Sequence, residues 1–475
     1  MLKRLASIFL TFGLICPAMA VAITPEEVSE AVEAAKGAPR NRALQNAAGD
    51  ALKSAGRYAE ALTFYAKGSN SANLGAAEAA FYLYDFDRAS ELLDKYLAKR
   101  TKAEAAQDVN FSYRPGAELS DWTDYLSSRI DMGRSMLDRV EKIQVIDSVN
   151  VPADEFFRFV KLARSAGQIV GEEALRSVIT DSLMDSLGLD DISGTGYVSE
   201  AGDDIIWTAA DTEGNSKVYE SSRLSDGKWD APVLLFDYAT VFGNTDGAWI
   251  SSPYLMSDGV TLYFAADGSE SLGGFDIFIS RRDANGYLQP SNIGMPYNSP
   301  FNDYLYAVDE ETGAGWWVTD RNQIADSVTV YTFIPEELRN NWPVDTPGLA
   351  DYAKVSSISA TQSPDANYTP LRRKIANLEY GRTRQREADF EFALPDGRIM
   401  RHLSDFPSAL SRKAMSEYLT EKGNVDKLAD DLQRLREKYA GGDTSVSEQI
   451  ISLEDQLDTR RSALLDLKNQ VVLNL

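Results

Sequence analysis

Between about residues 195 and 343 the sequence contains an internal repeat with a period of 53 to 59 residues. Each copy carries an aspartate after one apolar segment, an aromatic residue in the next segment and a proline beyond it. The copies are Asp211, Asp267 and Asp320; Tyr219, Phe278 and Tyr331; and Pro232, Pro290 and Pro343. Three independent landmarks with one period indicate one structural unit present three times. Alternating aromatic and β-branched residues between polar turns predict that the unit is an antiparallel sheet.

The second copy carries a family resemblance. Its pattern S-P-x-x-x-S-D-G-x-x-L-Y-F, followed by G-G-x-D-I-F, runs from Ser252 to Phe278. It resembles the β-propeller repeat of TolB-type proteins, which are exported proteins of Gram-negative, Bacteroidota-like cell envelopes. The resemblance implies an antiparallel β-propeller at residues 142–344. Propellers usually carry about four to eight blades, so either flanking segments complete the ring or the fan of sheets stays open. The alternating segment 143–151 is predicted to be a strand and is the candidate for closing it.

The first twenty residues have the three parts of a secretory signal: Lys3 and Arg4, an apolar run at 5–15, and small residues ending at Ala20. We therefore expect cleavage before residue 21 and a periplasmic protein, with outer-membrane association as the further option. The apolar run is short for a membrane span, so an uncleaved anchor is the minor alternative. No later stretch is long enough to predict a transmembrane helix. Lipidation of Cys16, the only cysteine, is also a minor alternative, and without it the mature chain has no thiol chemistry.

The formal net charge is −24, and removal of a signal with two cations and no acid makes it −26. Such a charge repels nucleic acid, so a nucleic-acid partner is excluded. The acids are spread along the chain, which is typical of a solvated surface.

Residues 21–141 are predicted to form an α-helical repeat array. Thr24 precedes a proline and a glutamate three residues on, which is the pattern of a capped helix start. Residues 55–65 resemble the second half of a tetratricopeptide repeat, in which small Ala61 lets two helices approach. A weaker copy centres on Ala89, 28 residues later, whereas the family period is 34. Further helices are predicted at 117–141 and near 171–187.

The C-terminal part changes pattern again. Residues 345–421 are predicted to be a small α/β segment with a hairpin at 388–403, turning at an Asp-Gly pair, and a helix near 407–421. Residues 422–475 have the apolar spacing of a coiled coil, interrupted by Arg460. The pair Gly441-Gly442 indicates a helical hairpin, and a parallel oligomer is the alternative. The predicted fold class is therefore multidomain α+β, with a helical repeat array, a central antiparallel propeller and a C-terminal coiled-coil hairpin.

Candidate catalytic residues are few. His402 is the only histidine, so neither a usual zinc site nor a serine triad is expected, and no metal or cofactor is predicted. A tentative propeller surface consists of Asp267, Asp276, Arg281, Asp320 and Arg321. In the structural interpretation these aspartates accept backbone N–H bonds in turns, and the two arginines pair with them across blades. Periodic placement favours that interpretation, because a catalytic group need occur only once.

Two further binding features are considered. Trp316 and Tyr304 would stack on a sugar ring, although aromatic residues that alternate along strands are more often core. A tentative basic patch comprises Arg372, Arg373, Lys374, Arg382, Arg384 and Arg386. It would dock an acidic partner or an anionic envelope polymer, unless it pairs with acidic helices of this chain.

These observations predict an exported, non-enzymatic scaffold or binding protein of the cell envelope. Its partners would be envelope proteins, such as an outer-membrane complex, or an envelope glycan, and it would oligomerise, if at all, through the coiled coil. TolB-like proteins often carry a peptidoglycan-binding domain at the C-terminus, where this chain has a coiled coil instead. The alternatives are a carbohydrate-active or peptide-processing propeller enzyme that uses carboxylates, and a glycan-binding module.

Overall fold

The computed structural model describes residues 23–112, 119–224, 227–247, 249–336, 338–382 and, with short gaps, 390–473. The predicted signal segment, Cys16 and His402 lie outside the described residues. The chain divides after Leu378 into two compact units. The coarse fold class is confirmed, because N-terminal helices, several antiparallel sheets and C-terminal helices are present. Among the described residues, no helix combines the length and the hydropathy that a membrane span requires.

Unit one begins with the helical array. The predicted capping box opens the first helix: Glu27 N–H donates to the Thr24 hydroxyl at 3.2 Å, and Thr24 N–H donates to the Glu27 carboxylate at 2.7 Å. The helices are α1 (Pro25–Gly37), α2 (Arg42–Ser54), α3 (Tyr58–Tyr65), α4 (Ala72–Tyr82), α5 (Phe86–Leu97), α6 (Lys102–Asp108) and α7 (Trp122–Leu137), with the short strands β1 (Val109–Phe111) and β2 (Ser120–Asp121) before α7.

Small residues set how closely these helices pack. Ala61 of α3 and Ala89 of α5 are fully buried, at the positions where the sequence predicts close helix approach. The Tyr65 ring fills the space between α2 and α4, where a Cβ added at Gly49 or Gly75 would come within 2.5 or 2.6 Å of it. The Tyr65 hydroxyl donates to Asp50 at 2.7 Å. Tyr65 therefore fixes the spacing of α2 and α4 through contacts that only glycine permits.

Three antiparallel sheets follow the helices, and each contains one copy of the repeat. The strands are β3 (Gln144–Pro152), β4 (Gln168–Val170), β5 (Leu189–Ile192), β6 (Gly196–Val198), β7 (Asp204–Asp211), β8 (Ser216–Ser222), β9 (Val233–Asp237), β10 (Ile250–Leu255), β11 (Thr261–Ala266), β12 (Asp276–Asp283), β13 (Gly286–Tyr287), β14 (Ser291–Asn292), β15 (Asp303–Asp309), β16 (Ala314–Thr319) and β17 (Ser327–Ile334). Sheet one has the order β4-β6-β7-β8-β9 with β5 beside β7, sheet two has β10-β11-β12-β13 with β14 beside β12, and sheet three has β15-β16-β17-β3.

The strand predicted at 143–151 is β3, and it pairs with β17 of the third repeat, with Val151 opposite Val328. A segment that precedes the first sheet in sequence thus forms the outer strand of the last sheet. All three sheets contribute to one large core, for example through Tyr197, Phe264 and Trp316. The antiparallel sheets are confirmed, and no closed ring of blades is present among the described residues.

The connecting helices differ in part from the predictions. The helix predicted at 117–141 is shorter, because the Asp121 side chain accepts the Thr123 N–H at 2.8 Å and starts α7 there. The helix predicted near 171–187 is two short helices, α8 (Glu172–Arg176) and α9 (Asp181–Leu187). A new cap causes the break, since the Thr180 hydroxyl accepts the Leu183 N–H. The remaining helices of this unit are α10 (Tyr238–Phe242), α11 (Leu349–Lys354) and α12 (Ile358–Thr361), and α13 (Thr369–Arg382) crosses the boundary between the units.

Unit two contains the predicted hairpin as β18 (Phe392–Ala393) and β19 (Ile399–Met400), followed by α14 (Ala409–Ala440) and α15 (Ser447–Leu473). The predicted boundary at 421/422 falls inside α14, because no residue interrupts the helix at that point. Arg436 pairs with Glu454 at 2.6 Å and Arg460 pairs with Glu421 at 2.8 Å, so α14 and α15 run antiparallel. Arg460, which interrupts the predicted seam, therefore makes an ion pair across the two helices.

The role of Tyr65 predicts the effect of a methyl group. We expect Gly75→Ala to lower the free energy of unfolding of unit one by about 1–2 kcal/mol, because overpacking outweighs the gain in helix propensity. Gly37→Ala is the matched control, since nothing lies within 4 Å of a Cβ at that exposed helix end. Urea denaturation followed by circular dichroism measures both. Equal stability of the two variants would contradict this packing.

Candidate functional site

Two of the repeated aspartates hold strands together in the same way. The Asp267 N–H donates to the carbonyl of Trp249 at 3.2 Å, and its carboxylate accepts the Trp249 N–H at 2.8 Å. Asp320 makes the equivalent two bonds to Asn302, at 3.0 and 2.8 Å. Each partner lies 18 residues upstream, immediately before the first strand of its sheet. In the second and third repeats, these carboxylates therefore close the open end of a β-hairpin.

The first copy differs. The Asp211 carboxylate accepts the N–H groups of Glu213 and Asn215 at 3.0 and 2.9 Å, within the turn between β7 and β8. It also pairs with Lys217 at 3.3 Å. The Asp211 carboxylate thus orders a local turn.

Asp276, the first residue of β12, is fully buried and has three donors around it. Its carboxylate accepts the N–H of Leu272 at 2.9 Å, the N–H of Gly273 at 3.1 Å and the side-chain amide of Asn292 at 2.6 Å. Burial raises the pKa of Asp276 to about 7, with repulsion from Asp303 as the second cause, while the donors oppose the shift. The arrangement fixes the glycine-rich turn of the second repeat, where a Cβ on Gly273 would collide with the Phe301 carbonyl.

Arg321 belongs to the same buried region. Its guanidinium donates to Asp303 at 3.0 Å and to the carbonyl of Tyr297 at 2.7 Å. Burial raises the pKa of Asp303, against the opposing effect of Arg321. Sequence reasoning missed Asp303, which has no counterpart in the other repeats. The expected pairing of Arg321 with one of the repeated aspartates is wrong, because its ion pair is with Asp303.

Arg281 lies apart from this network. Its side chain is 67% exposed and pairs at 3.8 Å with Asp258, which caps the turn before β11. The tentative propeller surface therefore separates into one exposed arginine and a buried polar group. Both residues considered for stacking on a sugar have structural contacts. Trp316 is buried in the core with 1% exposure, and the half-buried Tyr304 donates its hydroxyl hydrogen to Asp320 at 3.0 Å.

The basic patch is described only in part. The Arg372 side chain donates to the carbonyl of Ile146, and the Lys374 side chain donates to that of Glu311. These contacts attach α13 to the third sheet, and Arg373 beside them is exposed. Arg384, Arg386 and the side chain of Arg382 lie outside the described residues. Arg372 and Lys374 thus have a structural use besides any docking of an acidic partner.

The helical array meets the second sheet at Arg129 of α7, a residue that sequence reasoning missed. Arg129 is 2% exposed and donates to the carbonyls of Gly268 and Ser269, the latter at 2.8 Å. Its guanidinium lies 4.4 Å from the centroid of the Tyr125 ring. In the sequence, Arg129 could have been recognised as a charged residue on the apolar face of a helix, between Leu126 and Ile130.

Aromatic packing completes this junction. The Tyr58 and Tyr82 rings stack with centroids 4.7 Å apart, and the Tyr82 ring lies 5.2 Å from that of Phe301. Leu272 and Phe301, in the loops that precede β12 and β15, share one core with the helical residues around Ile130. The array and the sheets are therefore parts of one compact unit.

No group of three or more His, Cys, Asp or Glu residues in the described ranges is placed to hold a metal ion. Comparison with protein-family models, curated proteins and solved structures gave no match. The assignment of a function therefore depends on the geometry above.

The strand-closing role predicts unequal effects of three aspartate substitutions. Asp267→Ala and Asp320→Ala should each lower the free energy of unfolding by about 1–3 kcal/mol, because backbone donors lose their acceptor. Asp211→Ala should cost less than about 1 kcal/mol, because water can replace it in an accessible turn. Thermal and urea unfolding of the purified variants measure this order. A reversed order would contradict the proposed strand-closing role.

The raised pKa of Asp276 predicts how stability depends on pH. In the unfolded chain the Asp276 carboxyl has a pKa of about 4. Between about pH 4 and 7 the folded state therefore retains a proton that the unfolded state has lost. The contribution of Asp276 to the free energy of unfolding is therefore fully present below about pH 4. It falls as the pH rises to about 7, by up to about 1.4 kcal/mol per pH unit. We expect Asp276→Asn to flatten that fall in urea-denaturation series.

The control for this experiment is Asp283→Asn, a substitution at the exposed end of the same strand. It should leave the pH dependence of unfolding as in the parent protein. An unchanged slope in Asp276→Asn would show that Asp276 does not retain its proton on folding.

Proposed function

We propose that this protein is an exported, non-enzymatic scaffold of the cell envelope that binds other proteins. The observation that carries the proposal is the junction at Arg129, which fixes the helical array to the sheets through buried contacts. Helical arrays and sheet fans both present wide surfaces suited to protein partners. Joined through a common core, they form one surface that keeps its shape on binding.

The buried polar network supports a structural use of the candidate carboxylates. Asp276 and Asp303 are fully buried and surrounded by donors from their own sheets. A catalytic carboxylate must reach its substrate, whereas these groups orient backbone turns. The recurrence of Asp267 and Asp320 in equivalent bonds points the same way.

A TolB-type propeller is part of the proposal. Three repeats correspond to three antiparallel sheets, and β3 adds an outer strand from a distant part of the chain. Such pairing of the two ends of a region is how propeller rings are commonly held together. The signal-like N-terminus supports a periplasmic location, with attachment to an outer-membrane complex through a partner.

Unit two is proposed as a second binding surface. Its antiparallel helices leave several large apolar side chains exposed. They are Leu410, Ile451, Leu465 and Leu473. Ile451 and Leu465 are 14 residues apart, four helical turns on one face of α15. This face is suited to a coiled-coil partner or to a second copy of the chain.

The test uses the full mature chain in its native cell. We expect Ile451→Glu with Leu465→Glu to reduce cross-linked envelope partners, or the oligomer, at least about fivefold, because acids on an apolar interface cost binding energy. Gln456→Glu with Ser462→Glu, at exposed polar positions of the same helix, is the matched control. Cross-linking with mass spectrometry, size-exclusion chromatography and osmotic-shock fractionation give the readouts. The proposal is refuted if the parent protein captures no more envelope protein than the affinity tag alone does.

A further inference from the structure

A cavity of about 50 Å³ lies between the helical array and the second sheet. Four aromatic side chains line it: Phe81, Tyr82, Trp122 and Tyr125. Its charged lining residues are Glu78 and Arg129. Since a water molecule needs roughly 10–15 Å³ of such volume, the cavity has room for about three waters or one carboxymethyl group. It is too small for a sugar ring, so its ligand must be a single small group.

Arg129 brings a buried positive charge to this cavity. Its two terminal nitrogens donate to the carbonyls of Gly268 and Ser269, and its Nε is buried without a hydrogen-bond partner. Within the part of the chain that the structure describes, no ion pair joins Arg129 to a carboxylate. A buried cation that has only neutral partners lacks a counter-ion, and an unmet N–H donor adds to the cost.

Glu78 does not fill that role. Its carboxylate accepts the Trp122 indole N–H at 2.7 Å and forms an ion pair with Lys53. Lys53, also from the helical array, thereby balances the charge of Glu78. The same bond holds the Trp122 ring in place as a wall.

We propose that this cavity binds a carboxylate supplied by a partner protein. The positive charge of the Arg129 guanidinium in the cavity wall attracts the carboxylate, and the rings of Trp122 and Tyr125 cover the apolar stem that carries it. The inference rests on the proposed scaffold function and specifies how a partner is anchored. An acidic side chain and the carboxylate of a chain end share this chemistry, and the experiment separates them.

The experiment uses mature protein labelled with 5-fluorotryptophan and observed by fluorine NMR, in which Trp122→Phe assigns the resonance of Trp122. Three capped tripeptides are the probes: acetyl-Gly-Asp-Gly-amide, its Asn counterpart, and acetyl-Gly-Gly-Gly with a free carboxylate. The shift of the Trp122 resonance measures the affinity of each peptide. The Asp peptide should bind at least about tenfold more tightly than the Asn peptide, because only a charged acceptor neutralises Arg129. Tighter binding by the free-carboxylate peptide would assign a chain end as the source.

A gain-of-binding variant separates ligand binding from structural damage. Glu78→Gln keeps an acceptor for Trp122 and removes a negative charge from the cavity wall, so the Asp peptide should bind about fivefold more tightly. Glu33→Gln, on the exposed face of α1, is the control and should change nothing. Arg129→Met should abolish the response, with the other tryptophan resonances reporting retained folding.

Three outcomes would overturn the inference: equal responses to the Asp and Asn peptides, weaker binding in Glu78→Gln, or no Trp122 shift up to about ten millimolar peptide. None of them affects the cross-linking test at Ile451 and Leu465, which belong to unit two. Failure of the cavity proposal is therefore distinguishable from failure of the scaffold proposal.

Discussion

The buried guanidinium of Arg129 is the interaction on which the architecture of unit one depends. A cation with 2% exposure has lost its water, and the carbonyls of Gly268 and Ser269, with the Tyr125 ring, replace only part of that solvation. These carbonyls lie two and three residues after the end of β11, so the position of α7 is tied to the end of a strand. The apolar contacts around Phe301 bury the rest of the junction. The helices and sheets are therefore held by directional bonds as well as by apolar burial.

The repeats use their polar residues for the same purpose. Asp267 and Asp320 each hold the start of a neighbouring strand, and Asp276 orders the turn that precedes its own strand. A carboxylate that accepts backbone N–H groups satisfies donors at a strand end that would otherwise need water. The features of the sequence that most resemble a site are thus parts of the repeated architecture. Arg129, whose Nε has no hydrogen-bond partner among the described residues, lies elsewhere, at the non-repeated boundary with the helices.

Much of the fold follows from local pattern. The capping box at Thr24, the strand 143–151 and the threefold repeat are readable because hydrogen-bonding residues and apolar periods act over a few neighbouring positions. The break between α8 and α9 was missed because the Thr180 cap competes with an otherwise helical pattern. The pairing of Arg321 with Asp303 was missed because it joins residues 18 apart through the register of two strands. Arg129 and Glu78 carry no repeat signal at all.

Helices, then three related antiparallel sheets, then helices could be predicted from the sequence, because amphipathic period and turn chemistry are properties of short segments. Which charged groups are buried, and what they contact, became clear from the folded structure. Arg129 meets carbonyls about 140 residues away in the chain, and β3 meets a strand that follows it by nearly two hundred residues. Burial and pairing depend on such non-local packing, which sets the local dielectric and the available partners. The sequence therefore predicted the order of helices and sheets, and the structure located the buried charge of Arg129 between them.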